Sequence, residues 1–173
     1  MTSRYGTALS ASRAALRVLI VLNVAFGLGI LALLVASLAA PGWTMAALGA
    51  RVDVNPALLA GGRALMVVGL CSVPLAHVIL SRLLAMVETV RRGDPFVADN
   101  AVRLNGIAWA LLGLEILHLV AGIVAAAAST PAAPFDIDWN FSVTGWLAVL
   151  LLFVLARVFR EGARMRDDLE GTV

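Results

Sequence analysis

Apolar positions along the 173 residues gather into four long runs separated by stretches that hold most of the charge. Crossing about 30 Å of hydrocarbon takes about 20 helical residues. By that measure the runs predict four spans, about 18–40, 64–82, 104–128 and 141–157. The first is free of charge from Val18 to Ala40, the second lies between Arg63 and Arg82, and the third begins at Leu104. The fourth, from Phe141 to about Ala156, is slightly short unless Trp139 and the stems of Arg157 and Arg160 lengthen it. The first run follows Arg4, Arg13 and Arg17 and ends in Ser37-Leu38-Ala39, as a cleavable leader does. It is longer than the roughly 7–15 apolar residues of such a leader, so it reads as a retained anchor.

The pattern of the second span continues past Arg82. Leu83, Leu84, Met86, Val87 and Val90 carry it on, now interleaved with Glu88, Arg91 and Arg92. Alternation of this kind predicts an amphipathic helical extension into water. Gly93 then suits a left-handed helix end, Asp94 an N-cap and Pro95 a first helical turn. Asp99 adds a negative charge where the new helix dipole favours it. The stretch VETVRRGDPFVADN, residues 87–100, thus predicts a tight corner at the tip of a helical hairpin, about 83–103, with Phe96 and Val97 at its apex.

Composition turns these runs into a membrane assignment. Hydrophobic residues make up 61% and charged residues only 14%, against roughly 25% charged in a soluble domain. Mean hydropathy is +0.96, so the surplus apolar surface must face lipid. All 13 basic residues are arginine, which together with abundant alanine suggests a GC-rich bacterial genome. Eleven arginines fall in the N-terminal segment, the second connection and the tail 158–173 with its preceding Arg157, whereas the other connections hold only Arg51 and Arg63. The arginine-rich side is expected to be cytoplasmic, with both termini and the hairpin on it. The predicted architecture is all-α: one integral membrane domain, 1–173, a four-helix bundle with helices 2 and 3 extended into a cytoplasmic hairpin.

The single cysteine, Cys71, excludes an internal disulfide and reads as a small buried hydrophobe. Asp136-x-Asp138-x-Asn140 imitates the start of a calcium loop, but Phe141 stands where glycine is required and Leu147 where a bidentate glutamate is required. No cofactor or metal is expected.

The run Glu88-x-x-x-Arg92-Gly93-Asp94-Pro95-Phe96-x-x-Asp99-Asn100-x-x-x-Leu104 resembles the signature of a bacterial inner-membrane family known as domain of unknown function 2975. The tail, Val158-Phe159-Arg160-Glu161-Gly162-Ala163-Arg164 with the acidic Asp167-Asp168-Leu169-Glu170, is similar to the end of that family. The resemblance implies no enzymatic activity. Because members are often encoded beside small helix-turn-helix regulators, it implies a protein that holds or modulates a transcription factor. The docking candidates are then Arg91, Arg92, Asp94, Phe96, Asn100, Phe159 and Arg160 with the rest of the tail. The chain shows no nucleic-acid-binding module of its own.

Polar groups within a span are functional candidates by default. They are Asn23, His77, Glu115 and His118. Counting inward from Arg82 and Arg103 at ~1.5 Å per residue, His77 lies about 8 Å deep, Glu115 about 18 Å and His118 about 22 Å. His77 and His118 are too far apart in depth to share a haem. A single Glu-x-x-His is only part of a di-iron set. Glu115 and His118, three residues apart, can interact, with Ser72 and Thr144 as further partners; Asn23 is level with His77. Gly27, Gly29, Gly69, Gly106, Gly113 and Gly122 permit close helix approach without marking one dimer face, so a homo-oligomer is compatible with this layout. The expected function is a non-enzymatic, regulatory multi-pass protein of the bacterial inner membrane that presents hairpin and tail to a soluble partner. The alternative is a small proton-coupled transporter using Glu115, although no inverted repeat is visible.

Overall fold

Hydrocarbon offers no water to a free backbone N–H or C=O, so each apolar run must satisfy its own backbone as a helix. The computed structural model describes residues 2–42, 56–93, 97–129 and 142–170. Within them lie four helices: α1 (Thr2–Ala39), α2 (Pro56–Arg91), α3 (Ala98–Ala128) and α4 (Val143–Glu170). All four are long and apolar enough to cross a membrane, and the described residues contain no strand. The protein is therefore an all-helical, multi-pass membrane protein.

Two helices run well beyond a bilayer. The 38 residues of α1 and the 36 of α2 each exceed 50 Å at ~1.5 Å per residue, against about 30 Å of hydrocarbon. The segment before Arg17, read above only as a carrier of arginines, continues α1 as regular helix back to Thr2. Pro74 sits inside α2 without ending it. Having no N–H, it leaves the Leu70 carbonyl without its usual helical donor.

The four helices expected to form a bundle do so in an open arrangement. Each helix packs on the next in chain order, and among the described residues no other pair comes together. The four form an open row, α1–α2–α3–α4. In water such a row would close to hide its flanks, but lipid tails solvate leucine as well as another helix does. Val18, Val21, Leu22, Phe26 and Leu28 of α1 are accordingly exposed.

Small residues set the seams. A Cβ on Gly27 would stand 2.9 Å from Val73 Cγ1, and one on Gly113 would stand 3.0 Å from Leu75 Cδ1. Gly69 faces Ile30 at 3.3 Å on the same terms, whereas Gly29 meets nothing within 4 Å and is no contact residue. On α3 the buried residues Ala101, Leu104, Ile107, Ala108 and Ala110 form the inner face of the row. Trp109 and Phe153 close the α3–α4 seam edge to face, with ring centroids 5.3 Å apart.

Candidate functional site

On the α2 side of the α2–α3 corner the helix ends as its residues demand. Gly93 adopts φ +86° and its N–H donates to Val90 O at 3.0 Å, a left-handed helix end that glycine reaches without a steric penalty. On the far side the extended Val97 (φ −88°, ψ 143°) is the N-cap of α3, without a side-chain cap. The helix thus starts at Ala98, not at the predicted Pro95. Asp94 and Phe96, the predicted cap and apex, lie outside the described residues.

Immediately behind the corner a polar cluster ties the two helices together. Asn100 Nδ2 donates to Thr89 Oγ1 at 2.8 Å, and the Thr89 hydroxyl donates to Met86 O at 2.7 Å. Arg103 Nη1 donates to Asn100 Oδ1 at 2.8 Å while Nη2 reaches Asp99 Oδ2 at 3.4 Å. Asn100 is 1% exposed. Its predicted place on a docking surface is therefore corrected: the side chain is a clamp inside the hairpin. The physical reason is that a buried amide at a helix seam must spend its donors and acceptor locally. One turn deeper, Arg82 Nη1 donates to Val102 O at 3.2 Å, and its guanidinium lies where a side chain on Gly106 would stand.

The remaining docking candidates differ in exposure. Arg91 and Arg92 are exposed, and Arg91 Nη2 donates to Glu88 Oε1 at 2.9 Å. Glu88 also faces Arg13 Nε of α1 at 3.7 Å, so the N-terminal turns of α1 flank the hairpin. Its carboxyl, beyond the apolar stretch that ends at Arg82, is held below the ordinary value by the Arg91 hydrogen bond. The charges of Arg13, Arg91 and Arg92 act in the same direction, and partial desolvation opposes them. On α4, Arg160 is exposed and Phe159 half-buried.

The contacts set a common level. Arg13 pairs with Glu88 across α1–α2, Arg82 reaches Val102 across α2–α3, and Trp109 meets Phe153 across α3–α4. Stepping along each helix from these antiparallel contacts brings Arg17, Arg82, Arg103 and Arg157 to within about one helical turn of one level. Each helix contributes one arginine to this collar. Nineteen residues along α2, or ~28 Å, Arg63 forms a second polar level. There its Nε donates to Ser37 Oγ at 2.9 Å and its Nη2 to Ser37 O, tying α2 to the far end of α1. Sequence reading missed this tie. Its signal was Ser37, the last polar residue of the first run, opposite the first arginine of the second.

Between the levels the expected polar pairings do not form. Asn23 Nδ2 donates to Val73 O at 3.1 Å, beside Pro74, and not to the level residue His77, which is exposed. Ser72 donates to its own Gly69 O at 2.7 Å, and Thr144 is exposed on α4. Among the described residues nothing hydrogen-bonds to Glu115 or His118. Glu115 turns toward α4, its carboxylate lying where a side chain on Gly145 would stand. His118 is exposed and lines a groove against α2. Two side chains three residues apart, ~60° around the helix, thus address different neighbours. Ser142 accepts a hydrogen bond from Gly145 N at 3.0 Å and so caps α4, a role legible in its Ser-x-x position but not weighed in the sequence reading. Of the imitation calcium loop, residues 136–141 fall outside the described residues and residues 143–147 form the first turn of α4.

Residues 38–173 match the model of the family described as protein of unknown function (DUF2975). No curated protein and no solved structure matches the chain.

Proposed function

Because the chain belongs to the DUF2975 family, whose description assigns no activity, its role must be read from its own geometry. We propose that it is a non-enzymatic, regulatory protein of the bacterial inner membrane that presents one end of its helix row to a soluble cytoplasmic partner. The observation that carries this reading is the arginine collar. Arginine-rich levels border the cytoplasm. Beyond that level gather the α2–α3 corner, the first turns of α1 and the last turns of α4, so every described extension of helix past the collar lies on one side. At ~1.5 Å per residue, the turns of α4 after Arg157 reach about 20 Å past it. Both termini are cytoplasmic on this reading.

Arg91, Arg92 and Arg160 are exposed at that end, as are Arg164 and Arg166 further along α4, with Asp94 and Phe96 supplied by the corner sequence. A helix-turn-helix transcription factor is the partner that the family resemblance suggests. The test is affinity capture of the tagged protein from its host, wild type beside Phe96→Asp. A small DNA-binding protein that co-purifies only with wild type supports docking at the corner. Empty captures from both, with intact protein in the membrane, overturn it. Reporter fusions after Val173 test the orientation independently: an extracytoplasmic C-terminus would overturn the arrangement itself.

A second reading draws on Glu115. It is a membrane carboxylate with no hydrogen-bond partner among the described residues, set against the glycine of a neighbouring helix, as a proton-coupling site in a small transporter would be. On that reading Glu115→Gln abolishes proton-coupled substrate efflux from vesicles and Phe96→Asp leaves it unchanged. On the regulatory reading, Glu115→Gln leaves partner capture intact.

A further inference from the structure

Between the two polar levels, α2 and α3 line an open groove of about 290 Å³. Its walls are Leu65, Val68, Leu114 and Leu117, and its polar lining is Ser72 and His118. Ser72 lies ten residues from Arg82, ~15 Å inward, so the groove opens to hydrocarbon and its occupant must come from the lipid phase.

Two features restrict the chemistry of that occupant. The Ser72 hydroxyl proton is committed to Gly69 O, leaving the oxygen lone pairs free to accept. His118 has an imidazole N–H and no hydrogen-bond partner among the described residues. An unpartnered polar group in hydrocarbon is unfavourable and gains by finding a hydrogen-bond partner. A hydroxyl answers both conditions at once, accepting from the His118 N–H and donating to Ser72 Oγ. We propose that this groove is a binding site for a membrane-dissolved aliphatic alcohol, whose hydroxyl sits between His118 and Ser72 and whose chain lies along the leucine walls.

The site stands apart from the cytoplasmic end and does not depend on the regulatory reading. His77, likewise exposed, on α2 but outside the groove, is its internal control. The experiment uses the full chain in phosphatidylcholine nanodiscs and a ten-carbon alcohol carrying a mid-chain diazirine, with its methyl ether as second probe. Crosslinked peptides are read by mass spectrometry. The alcohol should label segments 65–72 and 114–121. His118→Ala should reduce that labelling about tenfold, His118→Gln should restore part of it through its amide N–H, and His77→Ala should leave it unchanged. Leu117→Trp, which fills the groove, should abolish labelling while the protein still elutes as wild type. The ether cannot donate and should label about tenfold less. Equal labelling by alcohol and ether, together with an unaffected His118→Ala, would mean an acyl-chain crevice only and would overturn the proposal. So would labelling spread evenly over the lipid-facing surface.

Discussion

The two halves of the α2–α3 pair are held by different physics. Near the corner the seam is polar and closed: Thr89, Asn100, Arg103 and Asp99 use one another's hydrogen-bonding capacity, and Arg82 caps the Val102 carbonyl. Deeper in, the seam is Gly113 against Leu75, while Ser72, His118 and Glu115 do not bond across it. Water competes for every polar group at the first end, so a polar seam there has to be complete to hold its register. Lipid competes for nothing at the second, where close backbone approach supplies the dispersion contacts and a polar side chain is left over for some other partner.

Removing the clamp has the largest expected effect. Asn100→Ala strips hydrogen bonds from Thr89 and from the charged Arg103, and should lower stability by about 3 kcal/mol in reversible detergent unfolding. Overfilling the other kind of seam comes next. Gly27→Ile drives a branched side chain into Val73 and should destabilise by about 2 kcal/mol, read by the same unfolding and by weakened crosslinking between α1 and α2. At the corner, Gly93→Ala forces a side chain to φ +86° and should be unfavourable by about 1 kcal/mol, with Gly93→Asn milder. Ser72→Ala sharpens the contrast from the opposite side. Its hydroxyl bonds only within its own helix, so stability should move by less than about 0.5 kcal/mol. If Ser72→Ala proved as damaging as Asn100→Ala, the contrast between the halves would fail.

The smallest effect is electrostatic. Because the Glu88 carboxyl is held below its ordinary value of 4.5, its contribution is present above that pH and is lost as pH falls through the depressed value. Melting curves taken from pH 6 down to pH 3 should therefore show a slight loss that Glu88→Gln removes. Half-exposed ion pairs such as Arg13–Glu88 contribute little, and added salt should shrink the difference further.

Much of this was legible along the chain. Four apolar runs became four helices, Gly93 became the left-handed residue of the corner, and Asp99 lies in the first turn of α3. The motif around Gly93 and Phe96, with the tail after Val158, pointed to the family that residues 38–173 match. What was misread has a common cause. Asn100 was taken for surface along with the rest of the family motif, yet on α3 it turns inward to Thr89. Glu115 and His118 were taken as partners because they are near in sequence, yet the helix aims one at Gly145 and the other at α2. Spacing says which residues can meet; it does not say which neighbouring helix each face will find.

The sequence by itself determined that this is a multi-pass helical membrane protein with its arginines gathered at one end, because hydropathy and charge act residue by residue against lipid and water. Only the tertiary structure decided that the helices lie in an open row and that Asn100 is a clamp. It alone tied Arg63 to Ser37 and left His118 facing a groove. Those outcomes depend on the register and rotation of one helix against the next. Between helices in lipid they are set by close packing of glycine, alanine and branched side chains, a property of pairs of surfaces that no single run of residues contains.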